Sequence, residues 1–181
     1  MDVGSRLRDA RQNRNLSLRA LAEKTGFSAS FLSQIELGQA SPSLGSLQRI
    51  ADALGVTVAA LVASESASGV VLRKAARVSH RSEWSKATLE SLLPADADEK
   101  LQAVLIRLDE GGKTGALSNA PGRRLLGYCT SGAVVAVLKD PSEEVEVNAG
   151  DCVVLDGPRT AAWENRCGVP AELLVVTARI G

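Results

Sequence analysis

The sequence predicts a multidomain α and β chain, with a five-helix bundle at the N-terminus and an antiparallel β-barrel behind it. Three observations carry this. Over residues 1–62, apolar residues recur at helical spacing between serine starts and glycine stops. From residue 70 onward, short alternating runs are separated by turn residues. Between them, ASESASG (63–69) is small and polar, a linker composition. The expected division is therefore 1–62, a linker at 63–69, and 70–181.

The helices follow from their punctuation. Residues 5–14 form the first segment. Ser17 stands as N-cap before LRALAEKTG, where a hydroxyl satisfies a free N–H and Gly26 closes the end. Ser28 opens ASFLSQIELG, which Gly38 ends, and Ser43 opens LGSLQRIADALG, which Gly55 ends. Thr57 opens a last short turn, VAALV. The expected core is Leu18, Leu21, Phe27, Leu32, Ile35, Leu47, Ile50, Leu54 and Leu61.

The strands are expected at 70–78, 87–93, 101–109, 124–130, 133–139, 144–147, 152–155, 160–165 and 171–180. Glycine, proline and asparagine turns lie between them. This regular spacing of short strands argues for a sandwich or barrel.

The bulk composition bounds the function. With 181 residues, 45% hydrophobic and only 3% aromatic, the core must be aliphatic. A formal net charge of zero gives no general attraction to nucleic acid or acidic membranes, so such binding must be local. No segment approaches the roughly 20 apolar residues of a membrane span. The N-terminus has no signal-peptide core. Three scattered cysteines do not make a disulfide framework. A cytoplasmic protein without membrane contact is expected.

Two helices joined by a short glycine turn, SLRALAEKTGFSASFLSQIELG, have the form of a helix-turn-helix. The run SASFLSQIELG followed by PSLGSLQRIADALGV resembles the lambda-repressor-like, or XRE, family over residues 5–62. The resemblance implies that the helix at 28–37 enters the major groove of double-stranded DNA. Phe27, Leu32 and Ile35 should then face inward, which leaves Ser28, Ala29, Ser30, Ser33 and Gln34 for the operator. Ser28 can cap the helix and touch a phosphate, and Gln34 can bond base edges. Arg19, Lys24 and Gln39 are the phosphate candidates. Arg11 is expected to pair with Glu36 as a structural contact. Residues 1–62 carry seven Lys or Arg and five Asp or Glu, a net of +2. That is weak for one copy, so a homodimer with paired half-sites is expected.

Residues 101–179 resemble a cupin, a jelly-roll barrel, through DEGG, TSGAVVAVL and NAGDCVVLDGPRTAAWEN. Gly150 and Asn165 fit the frame of the second cupin motif. The family's metal ligands are histidines and a glutamate. Their places fall near Asn119, Pro121 and Leu125 in SNAPGRRLL, and on Ala161 in the second motif. No metal and no cofactor are expected. His80 is expected to be a solvated surface residue. Cys129 and Cys152 should be small buried residues, with Cys167 the most accessible thiol.

What remains is a pocket. Its candidate liners are Asn119, Arg123, Arg124, Tyr128, Arg159, Trp163 and Arg107, since a guanidinium matches a carboxylate, phosphate or sulfonate. The reading is a homodimeric regulator that is not an enzyme. Its cupin half dimerises and senses a small effector, with an anion suited to the arginines, coupled to the DNA heads through the linker. A purely structural, dimerising cupin is the first rival. A metal-dependent oxygenase or epoxidase is the second.

Overall fold

The computed structural model describes residues 3–62, 71–94, 100–118, 122–139 and 141–179. The expected linker lies outside these residues, as does Asn119. Five helices come first: α1 (Val3–Gln12), α2 (Leu18–Thr25), α3 (Ala29–Glu36), α4 (Leu44–Leu54) and α5 (Val58–Val62). Their limits are set chemically. The Ser17, Ser28 and Ser43 hydroxyls accept the N–H groups of Ala20, Phe31 and Ser46. Gly26 and Gly55 take the left-handed conformation that stops α2 and α4.

Leu21, Leu32, Ile35, Leu47, Ile50, Leu54 and Leu61 are buried as expected, while Leu18 and Phe27 are only partly covered. Leu7, Leu44 and Val62 complete this core. Arg11 grips Glu36 through two bonds of 2.7 and 2.9 Å and donates a third to the Leu16 carbonyl. That pair fastens α1 to the end of α3.

The β region begins later than the alternation suggests. Of the strand expected at 70–78, the described residues 71–78 are not a strand; within them Lys74–Ala76 is a single 3₁₀ turn. The strands are β1 (Ser79–Ser82), β2 (Ala87–Ser91), β3 (Leu101–Leu108), β4 (Leu117–Ser118), β5 (Arg123–Ser131), β6 (Ala133–Leu138), β7 (Glu143–Asn148), β8 (Cys152–Asp156), β9 (Thr160–Glu164) and β10 (Ala171–Arg179). The two-residue β4 is too short to announce itself in the sequence.

They make two antiparallel sheets rather than one closed barrel. One has the order β1-β2-β3-β10-β5-β8, the other β4-β9-β6-β7. The result is a jelly-roll-like sandwich. Its core holds Ile106, Leu108, Leu125, Cys129, Leu155 and Leu173 from the larger sheet, and Val134, Ala136, Leu138, Val147, Ala161 and Trp163 from the smaller. Asn165 ties off one end. Its amide donates to the carbonyls of Leu108, Asp109 and Val169, and its carbonyl oxygen accepts the Cys167 N–H.

The helical head sits directly on this sandwich. The Gly45 N–H donates to the Thr114 carbonyl (3.0 Å), and the Ser41 hydroxyl donates to the Arg81 carbonyl (2.8 Å). A Cβ on Gly45 would lie 3.5 Å from the Gly115 Cα, so two backbones meet with no side chain between them. Helix α5 lies at the same junction, packed against β2 and β3, with Val58 and Ala59 facing the space between.

Candidate nucleic-acid interface and interdomain cavity

The head presents α3 outward. Ser28, Ser30 and Gln34 are exposed, and Ala29 and Ser33 are partly so. Arg19, Lys24 and Gln39 are exposed around them. Leu32 and Ile35 hold the opposite side of α3 in the core. Phe27 packs edge-on against Phe31, with the Arg49 guanidinium 4.6 Å above its ring. That stack fixes the turn between α2 and α3. The α3 N-terminus, with its free N–H groups, is therefore open to a phosphate backbone. Glu36 does not face that surface, because Arg11 holds it, with only 6% of its side chain accessible.

The expected effector residues scatter. Strand β5 explains most of it, because successive side chains point to opposite faces. Arg123, Leu125, Gly127 and Cys129 face inward, while Arg124, Leu126 and Tyr128 face outward. Arg124 pairs with Asp156 on the neighbouring strand, and both are more than half exposed. Arg107 is also on the outer face, spent on Glu90 and Glu172 at 2.7 Å each. Trp163 is fully buried in the sandwich core, away from the cavity described below. Arg159 is half-buried in the turn after β8, away from the cavity described below. Among the described candidates, Arg123 is the one that lines the cavity described next.

That cavity, about 280 Å³, lies between head and sandwich. Leu89, Val104, Ile106, Leu125 and Val175 form its floor on the larger sheet, with Gln102 and Thr177 set among them. Leu44, Gln48, Asp52 and residues 55–59 form its roof, from α4 and α5. Thr177 pairs with both Gln102 and Leu125 across the strands, so these three make one row of the floor. The Gln48 amide donates to Asp52 at the rim (2.7 Å). Period-two phase could have found Gln102 and Thr177, since each interrupts an inward apolar set. The roof had no sequence signal, because it exists only through docking.

Two further expectations are corrected. His80 is not a solvated surface residue. It is half-buried against the head, with Nε2 3.3 Å from the Pro42 carbonyl oxygen, and burial lowers its pKa. Cys152 is exposed, because β8 is the edge of its sheet and this position faces outward. Cys129 is buried, and that burial pushes its thiol pKa up.

The places where cupins carry metal ligands do not suit a metal here. Leu125 and Ala161 are buried apolar side chains with no donor atom. Among the described residues, no three His, Cys, Asp or Glu gather in a way that could hold an ion.

The capped α2–turn–α3 unit with its open α3 face defines a DNA-binding domain of the helix-turn-helix class. Comparison assigns it more narrowly: residues 7–61 are a helix-turn-helix domain of the HTH_3 family. The immunity repressor protein of Bacillus phage phi105 is 43% identical over 65 residues, covering 36% of this chain and 45% of the repressor. The chain thus spans less than half the length of the curated relatives it matches. An HTH_3 family transcriptional regulator from Vibrio cholerae has the same fold almost throughout. Its TM-score is 0.69 at 21% identity, covering 99% of this chain and 96% of that one. The β half shares its fold with a solved protein from Thermotoga maritima described as a predicted oxalate decarboxylase. There the TM-score is 0.53 at 20% identity, covering 61% of this chain and all of that one. No described helix is long and apolar enough to cross a membrane.

Proposed function

We propose that the chain is a cytoplasmic, homodimeric, sequence-specific transcriptional regulator. Its head binds an operator, and its cupin-type half dimerises and senses a small anionic effector without a metal. The observation that carries this reading is the division of labour within the head. Ser28, Ala29, Ser30, Ser33 and Gln34 stay open for the major groove, with Arg19, Lys24 and Gln39 for phosphates. The opposite helices, α4 and α5, are occupied with the sandwich.

The outer face of the larger sheet supports the dimer. Val154, Leu126, Val176 and Ala103 lie in one row across β8, β5, β10 and β3. Cys152, Tyr128, Leu174 and Leu105 form the next row. Val154 is 54% exposed in the single chain. An apolar sheet face of this kind, met by its own copy around a two-fold axis, buries both at once. Pairing would also double the head's modest positive charge.

The reading is non-enzymatic. Fold likeness does not carry an activity across, and the cavity floor offers amide, hydroxyl and guanidinium groups rather than a nucleophile with its base. Selection of bound duplexes from a random-sequence pool by the full chain tests the proposal. Enrichment of a palindromic motif is the expected result. Recovery of unenriched DNA, with binding lost alike for every sequence as salt rises, would refute it.

A further inference from the structure

We infer that the interdomain cavity is the effector site, and that its ligand is a small monocarboxylate with an apolar body, clamped between the head and the sandwich. This rests on the regulator reading above and gives it a ligand class and a place.

The lining selects the chemistry. The sheet wall is mainly aliphatic, while the roof mixes Leu44, Val56, Val58 and Ala59 with Gln48, Asp52 and Thr57, so an apolar ligand body gains by leaving water against the sheet. Two charged side chains touch the space. Arg123 stands on the inner face of β5, beside the row made by Leu125, Thr177 and Gln102. Asp52 stands at the rim on α4, is exposed and accepts a bond from Gln48. A guanidinium on the sheet side matches a single carboxylate, with Gln102 and Thr177 as additional donors. A second negative charge at the roof would meet Asp52, which disfavours dianions. The volume lies just under the usual range for drug-sized ligands, which begins at roughly 300 Å³. A short chain therefore suits it better than a long one.

The position supplies the coupling. Leu44, Val58 and Ala59 belong to the head, while Val104, Leu125 and Val175 belong to the sandwich. A molecule that touches both walls binds the docked arrangement more tightly than any undocked one, and so shifts the population toward docking. The α3 surface stays open in that arrangement. The bound ligand thus fixes where the reading helices point without covering them.

The test uses the full chain with butyrate, hexanoate and octanoate, and hexanamide as the neutral control. Two readouts are taken: the melting temperature, and exchange of the Gly45 amide hydrogen, whose bond to Thr114 reports docking directly. Hexanoate should raise the melting temperature and slow Gly45 exchange, and hexanamide should do neither at equal concentration. Arg123→Gln should weaken the hexanoate response roughly tenfold or more, as loss of a charge-assisted hydrogen bond does. Gly45→Glu, which places a side chain against Gly115 yet suits a helix, should abolish the response while the far-ultraviolet circular dichroism stays native. The inference is overturned if no carboxylate of the series acts, if hexanamide acts equally, or if Arg123→Gln responds as the parent does. A normal response in Gly45→Glu would equally overturn it, because the site would then belong to the sandwich alone. Duplex selection without any carboxylate is read separately, so loss of this inference leaves the DNA result standing, and the reverse holds too.

Discussion

Gly127 lies against the indole of Trp163 so closely that a methyl group there would come within 2.5 Å of Cη2 and 2.8 Å of Cζ2. The ring is fully buried between the two sheets. Gly127→Ala must push the indole or the strand aside, and overpacking of this kind costs about 1–3 kcal/mol. Urea denaturation should show the midpoint fall by the corresponding amount. An unchanged midpoint would mean that the indole has slack.

Gln34 is the one exposed amide on the α3 face with two-sided hydrogen-bonding capacity. Gln34→Ala should lower affinity for the selected operator by about 1–3 kcal/mol while leaving random DNA unaffected. Lys24→Ala should instead weaken all sequences and reduce the salt slope by about one. Gel-shift titrations over a range of salt separate the two effects.

The Arg11–Glu36 pair is mostly covered, with 12% and 6% of the side chains accessible. Removing one partner strands the other charge. Glu36→Gln should therefore destabilise the head by about 3 kcal/mol, near the lower bound for a buried pair. Differential scanning calorimetry should show this as an earlier melting transition. Arg11→Met combined with Glu36→Leu should recover much of the loss, since neither charge is then left unpaired.

His80 makes the docked arrangement sensitive to acid. Burial holds its imidazole below the ordinary value of about 6.5, and the Pro42 carbonyl only partly opposes this. The depression beside it is walled by Val3, Gly4, Ile35, residues 38–42, Val78 and Ser79, none with a titratable side chain. The neighbouring Arg81 is already held by Glu83 and Asp109. The unfolded chain thus takes up a proton that the native chain resists. The His80 contribution is fully present above about pH 6.5 and is lost as pH falls from there toward the lowered native value. Melting temperatures recorded across this window should fall more for the parent than for His80→Asn. Parallel curves would show that His80 is not responsible.

Val154→Arg places a charge in the exposed apolar row of the larger sheet. It should convert the proposed dimer to monomer in sedimentation velocity and leave circular dichroism unchanged. A parent chain that sediments as a monomer would remove the dimer from the proposal.

Local chemistry was the legible part of this molecule. The caps Ser17, Ser28 and Ser43 and the stops Gly26 and Gly55 are single-residue signals, and each sets a helix limit where expected. Arg11 with Glu36 was also readable, through family resemblance. Alternation located nearly every strand, but β5 begins one residue earlier than expected and β1 lies beyond the run assigned to it. Inside and outside were harder. Arg123 and Arg124 are chemically identical neighbours, and only the phase fixed by Leu125 and Cys129 sends one inward. His80 looked solvated because its burial comes from the head, a distant part of the chain. The cavity was illegible for the same reason, since no local pattern states that α4 will roof a sheet.

Strand β5 holds two addresses on one piece of backbone. Odd positions from Arg123 face the cavity and core, and even positions from Arg124 face the proposed partner surface. Insertion of a single residue ahead of the strand would exchange them, sending Arg124 inward and Arg123 outward. Leu126 would then enter the core, and the small Gly127 would take the place of Tyr128 on the outer face. The proposed ligand anchoring and the proposed subunit pairing would be lost together, so the two would be inherited as one unit of register rather than as separable traits.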